Sequence, residues 1–176
     1  VYARRLVHVL SSVYETIYLT ASDNALGILR DELGLESLAA IIPEGRNDRF
    51  RVLDSNDLSA PPASGSHDYE GMVVIPCSMG VVGRIASGIS NDLTTRAADV
   101  CLKERRKLIL VAREMPLSVI HLRNLTTLAE AGATIMPAAP AFYGKPKTIE
   151  ELVDFVVDRV LRTLGVDIRL IEGWGE

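Results

Sequence analysis

The sequence predicts an α/β fold: one domain in which a parallel sheet carries helices on both faces, a three-layer α/β/α arrangement. Three observations lead to it. Met72 to Ile75 and Leu108 to Val111 are short continuous apolar runs, the pattern of strands buried on both faces. Helically spaced apolar residues stand between and around those runs, as at 117, 119, 120, 122, 125 and 128. No repeat, low-complexity tract or composition shift divides the 176 residues, of which 48% are hydrophobic and 24% charged, so one domain (1–176) with a sizeable core is expected.

Taken in order, Val1 to Leu10 is already helical in period, with no strand before it. Ile17 to Thr20 reads as a strand, and Ser22 caps a helix that runs through Leu33 and ends at Gly34. Phe50 to Leu53 is a weak strand. Ala60 to Ser66 is a turn-rich loop whose serines and Gly65 can offer hydroxyls and N–H groups to a phosphate. Met72 to Ile75 ends at Pro76, and the turn Cys77-Ser78-Met79-Gly80 opens the next helix with Ser78 as its cap. Thr95 to Arg106 is a helix with a strongly basic end. Leu108 to Val111 is a strand, Leu117 to Glu130 a helix ending at Gly132, and Thr134 to Met136 a strand. Pro137 to Pro140 then crosses the sheet's carboxyl edge. Thr148, with Glu151 as capping-box partner, opens the last helix, which buries one apolar face between 152 and 164.

Composition excludes several classes. A net charge of -4 leaves no basic excess for nucleic acid. No apolar run reaches the ~18–20 residues of a membrane span and no signal peptide opens the sequence, so a soluble, cytoplasmic protein is expected. Two cysteines, Cys77 and Cys101, build no disulfide framework, and His8, His67 and His121 lack metal-ligand spacing. Free thiols and no structural metal are expected. His121 reads as structural.

The chemistry concentrates between Gly71 and His121. A strand end and a helix N-terminus at Ser78 to Val81 direct free N–H groups at one spot, suited to an anion or a polar ring edge. Arg113-Glu114 follows the Leu108 to Val111 strand, then Pro116 and a new helix. Charged residues at a strand's carboxyl end, ahead of a helix, mark where open α/β sheets bind ligands.

Four separated words in this order, CSMG from Cys77, TRAADVCLKERR from Thr95, AREMPLSVIHLRNL from Ala112 and MPAAPAFYGKP from Met136, resemble the UbiX/Pad-type flavin prenyltransferases, once described as aromatic-acid or 3-octaprenyl-4-hydroxybenzoate decarboxylases. The resemblance runs from Val1 to Glu176. It implies a Rossmann-like, flavodoxin-like flavoprotein that joins a dimethylallyl group from dimethylallyl phosphate to reduced FMN. The prenylated FMN would serve a UbiD-type decarboxylase, as in ubiquinone biosynthesis, and the enzyme would be a homo-dodecamer with its active sites at subunit contacts. Apolar Leu170, Ile171 and Trp174 offer contact area for such assembly.

By the same resemblance, Ser22, Ser78, Met79, Gly80, Val81 and Arg113 bind FMN, and Ser64, Arg96, Tyr143 and Arg159 bind the allylic phosphate. Glu114, Glu32 and Lys103 act in catalysis, with Glu114 moving a proton first to the departing phosphate and later from the flavin ring. Lys103, Arg113, Arg159 and Tyr143 together serve the phosphates. The family carries a first strand and a Gly-Ala-Ser-Gly phosphate turn ahead of the first helix, which this sequence lacks: either the sequence starts after them, or a central strand and phosphate site have been lost. A tryptophan found in some members near Leu58 is also absent. Two other classes stay open: an FMN-dependent decarboxylase of the cysteine-decarboxylase group, which lacks the Arg-Glu-x-Pro and Phe-Tyr-x-x-Pro words, and a flavin-binding protein without activity.

Overall fold

A computed structural model describes residues 1–173. In chain order the elements are α1 (Tyr2–Leu10), β1 (Ile17–Leu19), α2 (Asp23–Leu33), β2 (Phe50–Val52), β3 (Gly71–Cys77), α3 (Met79–Ala86), α4 (Leu93–Lys103), β4 (Lys107–Ala112), α5 (Val119–Glu130), β5 (Thr134–Pro137) and α6 (Ile149–Leu164). All strand pairs are parallel, with order β3-β4-β5 in one set and β1-β2 in another. The expected parallel architecture with flanking helices is therefore present. Its strands fall into two hydrogen-bonded sets, because β1 pairs with β2 alone and β3 with β4 alone among the described residues.

Strand β4 shows why the middle layer is buried on both sides. Successive strand side chains point to opposite faces. Ile109 and Val111 join the cluster built with α1 (Leu6, Val9, Leu10) and α6 (Val153, Val157, Val160, Leu161). Leu108 and Leu110 join the opposite cluster, with Val82 and Ile85 of α3, Ala98 and Cys101 of α4 and Leu128 of α5. All four β4 side chains are almost fully buried. Each contributes about 1.5–3 kcal/mol of hydrophobic free energy.

Several boundaries differ from the sequence reading for local reasons. Strand β3 runs through Pro76 to Cys77, and its register with β4 shifts between Val74 and Cys77. Helix α4 starts at Leu93 because Asp92 caps it: the Asp92 carboxylate accepts from Thr95 N at 2.7 Å and the Thr95 hydroxyl accepts from Asp92 N at 3.3 Å. It ends at Lys103 because Arg105 takes a left-handed φ of 56°, and Arg106 N donates back to Cys101 O at 2.8 Å. That closure usually uses glycine. Ser118 caps α5, and His121 Nδ1 accepts from Ser118 N at 3.2 Å, so His121 serves the helix end. Glu151 accepts from Lys147 N at 2.7 Å, one residue ahead of the expected Thr148.

The carboxyl-terminal segment is tied down by a buried charge. Asp158 is fully buried, accepts from Arg162 Nε at 2.6 Å with one oxygen and from Leu170 N at 2.9 Å with the other. Leu170 packs against the α1/α6 cluster of its own chain, so it offers less free contact area than expected. Trp174 lies outside the described residues. Hydrogen bonds to charged groups contribute about 1.5–3 kcal/mol each, so Asp158→Ala is expected to lower the urea unfolding free energy by at least that amount. Unfolding at the parent midpoint would show that Asp158 does not anchor this segment.

Candidate functional site

The candidate site is built at strand ends. β3 ends at Cys77, and Ser78 caps α3 by accepting from Val81 N at 3.4 Å. The cap leaves the first N–H groups of α3 without intrahelical partners. At Gly80 an added Cβ would meet only Ser78 Oγ, at 3.8 Å, so the backbone there is open to a ligand. Arg113 N donates to Cys77 O at 3.2 Å, which seats Arg113-Glu114 beside Ser78 at the carboxyl edge of β3 and β4. Both side chains are exposed, and Arg113 forms no ion pair among the described residues. Met79 is a correction to its expected role: its side chain is buried in the core under α3, leaving only its backbone to face a ligand.

Ser22 stands just past the carboxyl end of β1 and caps α2 by accepting from Ala25 N at 3.3 Å. Two residues earlier, Thr20 Oγ1 is buried with no hydrogen-bond partner. Buried polar atoms are normally satisfied. A polar ligand atom at this strand end would satisfy it, so the site suits a polar cofactor such as FMN. Glu32 does not share this position. It lies near the far end of α2, about 15 Å along the helix from Ser22 at ~1.5 Å per residue.

Tyr143, in the loop before α6, packs against the face of that helix that also carries Arg159. The Tyr143 ring packs edge-on against Phe155 with centroids 5.8 Å apart. Arg159 follows Phe155 by one helical turn on the same face and is exposed. The cluster therefore offers a phenol and a guanidinium at the surface.

Ser64, Arg96 and Lys103 form a third group around the loop that leads into β3. Ser64 is exposed, its hydroxyl 2.8 Å from that of Ser66. Arg96 spends its Nε on Ala63 O at 3.1 Å and another nitrogen on Asp99 at 2.8 Å. Lys103 pairs with Glu104 close against Gly65, where an added Cβ would lie 2.6 Å from Lys103 Nζ. Helix α4 returns antiparallel to β4, so Lys103 lies at the amino edge of the sheet while Arg113 lies at the carboxyl edge. The six residues of β4 separate them by about 17 Å at ~3.3 Å per residue. Within one chain a strand's length therefore lies between Lys103 and Arg113, the two cations expected to serve the phosphates with Arg159 and Tyr143.

Sequence reasoning missed Arg106, Tyr69, His67 and Tyr18, which tie this loop down. Arg106 donates to His67 O and Gly65 O, each at 2.8 Å, and sits 4.4 Å over the Tyr69 ring. Tyr18 OH lies 3.1 Å from His67 Nε2. The one available signal was the basic end of α4, which reveals charge but no partner.

The family described as Flavoprotein matches residues 1–161. The chain is 42% identical over 175 residues to the flavin prenyltransferase UbiX of Methanocaldococcus jannaschii, covering 99% of this chain and 92% of that one. With the flavin prenyltransferase UbiX of Pseudomonas aeruginosa it shares 53% identity over 128 residues, 73% of this chain and 61% of that relative's length. Among solved structures, AnUbiX (PadA1) in complex with FMN and dimethylallyl pyrophosphate superposes with a TM-score of 0.88 at 39% identity, covering 98% of this chain and 91% of that one. A dodecameric FMN-dependent UbiX-like decarboxylase from Escherichia coli O157:H7 gives 0.91 at 36%, covering 99% and 92%. Parallel strands, helix N-termini at their carboxyl ends and the family match define a flavoprotein. The chain belongs to the UbiX flavin prenyltransferase family.

Cys77, at this site, and Cys101, within α4, are free and buried. Burial pushes the Cys77 thiol from its ordinary 9.0 up to about 12 and raises Cys101 as well. Burial, then the Glu70 carboxylate, pushes Tyr14 from 10.0 up to about 12. Raised folded values stabilise the protein fully below the ordinary values and are lost as pH climbs through the folded ones. Stability in urea is expected to hold from neutral pH to about 9 and to fall between about 9 and 12. Neither cysteine should react with a thiol reagent until the protein unfolds. Labelling of Cys77 in the native protein at neutral pH would contradict this.

Proposed function

We propose that this protein is a cytoplasmic flavin prenyltransferase that transfers the dimethylallyl group of dimethylallyl phosphate to reduced FMN, and that the prenylated FMN passes to a UbiD-type decarboxylase, as in ubiquinone biosynthesis. The observation that carries the reading is the juxtaposition of the Ser78 cap with Arg113-Glu114, joined by the Arg113 N to Cys77 O bond at 3.2 Å. A relative of 39% identity bound to FMN and dimethylallyl pyrophosphate supports it.

In this reading the backbone from Ser78 to Val81, with Ser22 and Arg113, holds the flavin. Bound reduced flavin supplies the nucleophile for the allylic carbon, with cleavage of the carbon–oxygen bond to phosphate. Arg159 and Tyr143 hold the phosphate and offset its charge as that bond breaks. Glu114, exposed at the same edge as Arg113, gives a proton to the leaving phosphate and later takes one from the ring. Ser64, Arg96 and Lys103 belong to the same site. Since a strand's length separates Lys103 from Arg113, a neighbouring subunit supplies one of the two, and Glu32 acts in catalysis from its place on α2.

The assembly proposed is a homo-dodecamer. A solved relative at 36% identity is dodecameric. Met115 is 92% exposed, Phe142 71% and Ile120 67%, large apolar side chains that an assembly would cover. That same relative is described as a decarboxylase, which keeps direct decarboxylation as the second reading.

Glu114→Gln is expected to keep FMN binding while slowing turnover about 10²–10⁴-fold. Arg159→Ala and Tyr143→Phe are expected to weaken substrate affinity about 2- to 150-fold, the range for losing hydrogen bonds of roughly 0.5–3 kcal/mol. The assay supplies reduced FMN with dimethylallyl phosphate and follows the prenylated flavin by mass. A parent protein that forms none would overturn the reading, and carbon dioxide released from an aromatic acid by this protein alone would favour the second.

A further inference from the structure

We propose that Arg106 is a positioning residue that fixes the Ala63–Tyr69 loop so that the Ser64 hydroxyl is presented to the allylic phosphate. The inference rests on the proposed role of Ser64, while the clamp itself rests on geometry. Helix α4 closes on Arg105 at φ 56°, and that reversal turns Arg106 back toward the loop. Its guanidinium then reaches two alternate carbonyls, those of Gly65 and His67, each at 2.8 Å, over a sequence separation of about forty residues. Arg96, ten residues earlier in α4, takes the next alternate carbonyl upstream, Ala63 O at 3.1 Å.

The residues between the held carbonyls, Ser64 and Ser66, are exposed. A loop without regular structure here owes its shape to α4. Tyr69 completes the clamp: it lies under the Arg106 guanidinium at 4.4 Å and donates its hydroxyl to Pro62 O at 3.2 Å. A guanidinium is a planar fork that can bond two carbonyls and stack on a ring together; a lysine ammonium cannot do all three. Arg106 touches none of the groups proposed to bind flavin or phosphate, so its effect passes through the loop.

The test combines amide hydrogen exchange with kinetics on the native assembly. Arg106→Ala is expected to speed exchange at residues 63–69 and raise KM for dimethylallyl phosphate about tenfold, the change that ~1.4 kcal/mol produces. kcat at saturation and FMN affinity should change by less than about twofold. Arg106→Lys, which keeps the charge and serves if the alanine variant fails to fold, should restore the parent KM only in part. Parent-like exchange across 63–69 would overturn the clamp. Faster exchange with unchanged KM would overturn the link to substrate. If the parent protein makes no prenylated flavin, the functional reading falls, and exchange still decides whether Arg106 holds the loop.

Discussion

The structure depends on the two-sided burial of β4. Leu108 and Leu110 face one helical layer, Ile109 and Val111 the other, and all four are almost fully removed from water. Parallel pairing with β3 and β5 satisfies the strand's backbone on both edges. Without that burial both helical layers would lose the central strand that joins them, leaving only β3 and β5 side chains between them. A polar residue at any of these four positions would lack a partner in either layer.

The same strand acts as a ruler between two sets of cations. Arg106 and Lys103 stand before it and Arg113 after it, and its six residues keep the two sides about 17 Å apart. At its amino end the chain spends a guanidinium on its own loop: Arg106 binds the carbonyls of Gly65 and His67. At its carboxyl end Arg113 is left exposed beside an open helix N-terminus. The proposed chemistry draws on Lys103 from one side and Arg113 from the other, and Met115, Ile120 and Phe142 are exposed apolar side chains.

What was legible in the sequence is what local chemistry determines. Ser22, Ser78 and Thr148 accept from the third residue on, as side chains of that type do wherever a helix starts, and the Leu108 to Val111 run could only be a doubly buried strand. Less legible was anything set by distant partners. The Arg106 contacts span about forty residues, and no spacing rule links a helix end to carbonyls of an earlier loop. Lys103 and Arg113 are only ten residues apart in sequence yet stand at opposite sheet edges, because a helix end and a strand end are divided by the strand itself. Glu32 lies a helix length from Ser22, which no helix-start rule relates to the site. Met79 was read as a ligand contact, but its side chain completes the core beneath α3.

The central claim is that one catalytic site takes Arg113 from one chain and Lys103 from another. Complementation tests it most directly: Lys103→Ala and Arg113→Ala, each inactive alone, are coexpressed with different tags and the doubly tagged assemblies are assayed for prenylated flavin. A site shared between chains predicts that activity returns in the mixed assemblies, since some sites then draw both intact residues. Mixed assemblies as inactive as the two single variants would contradict it, because a site built within one chain cannot be repaired by its neighbour.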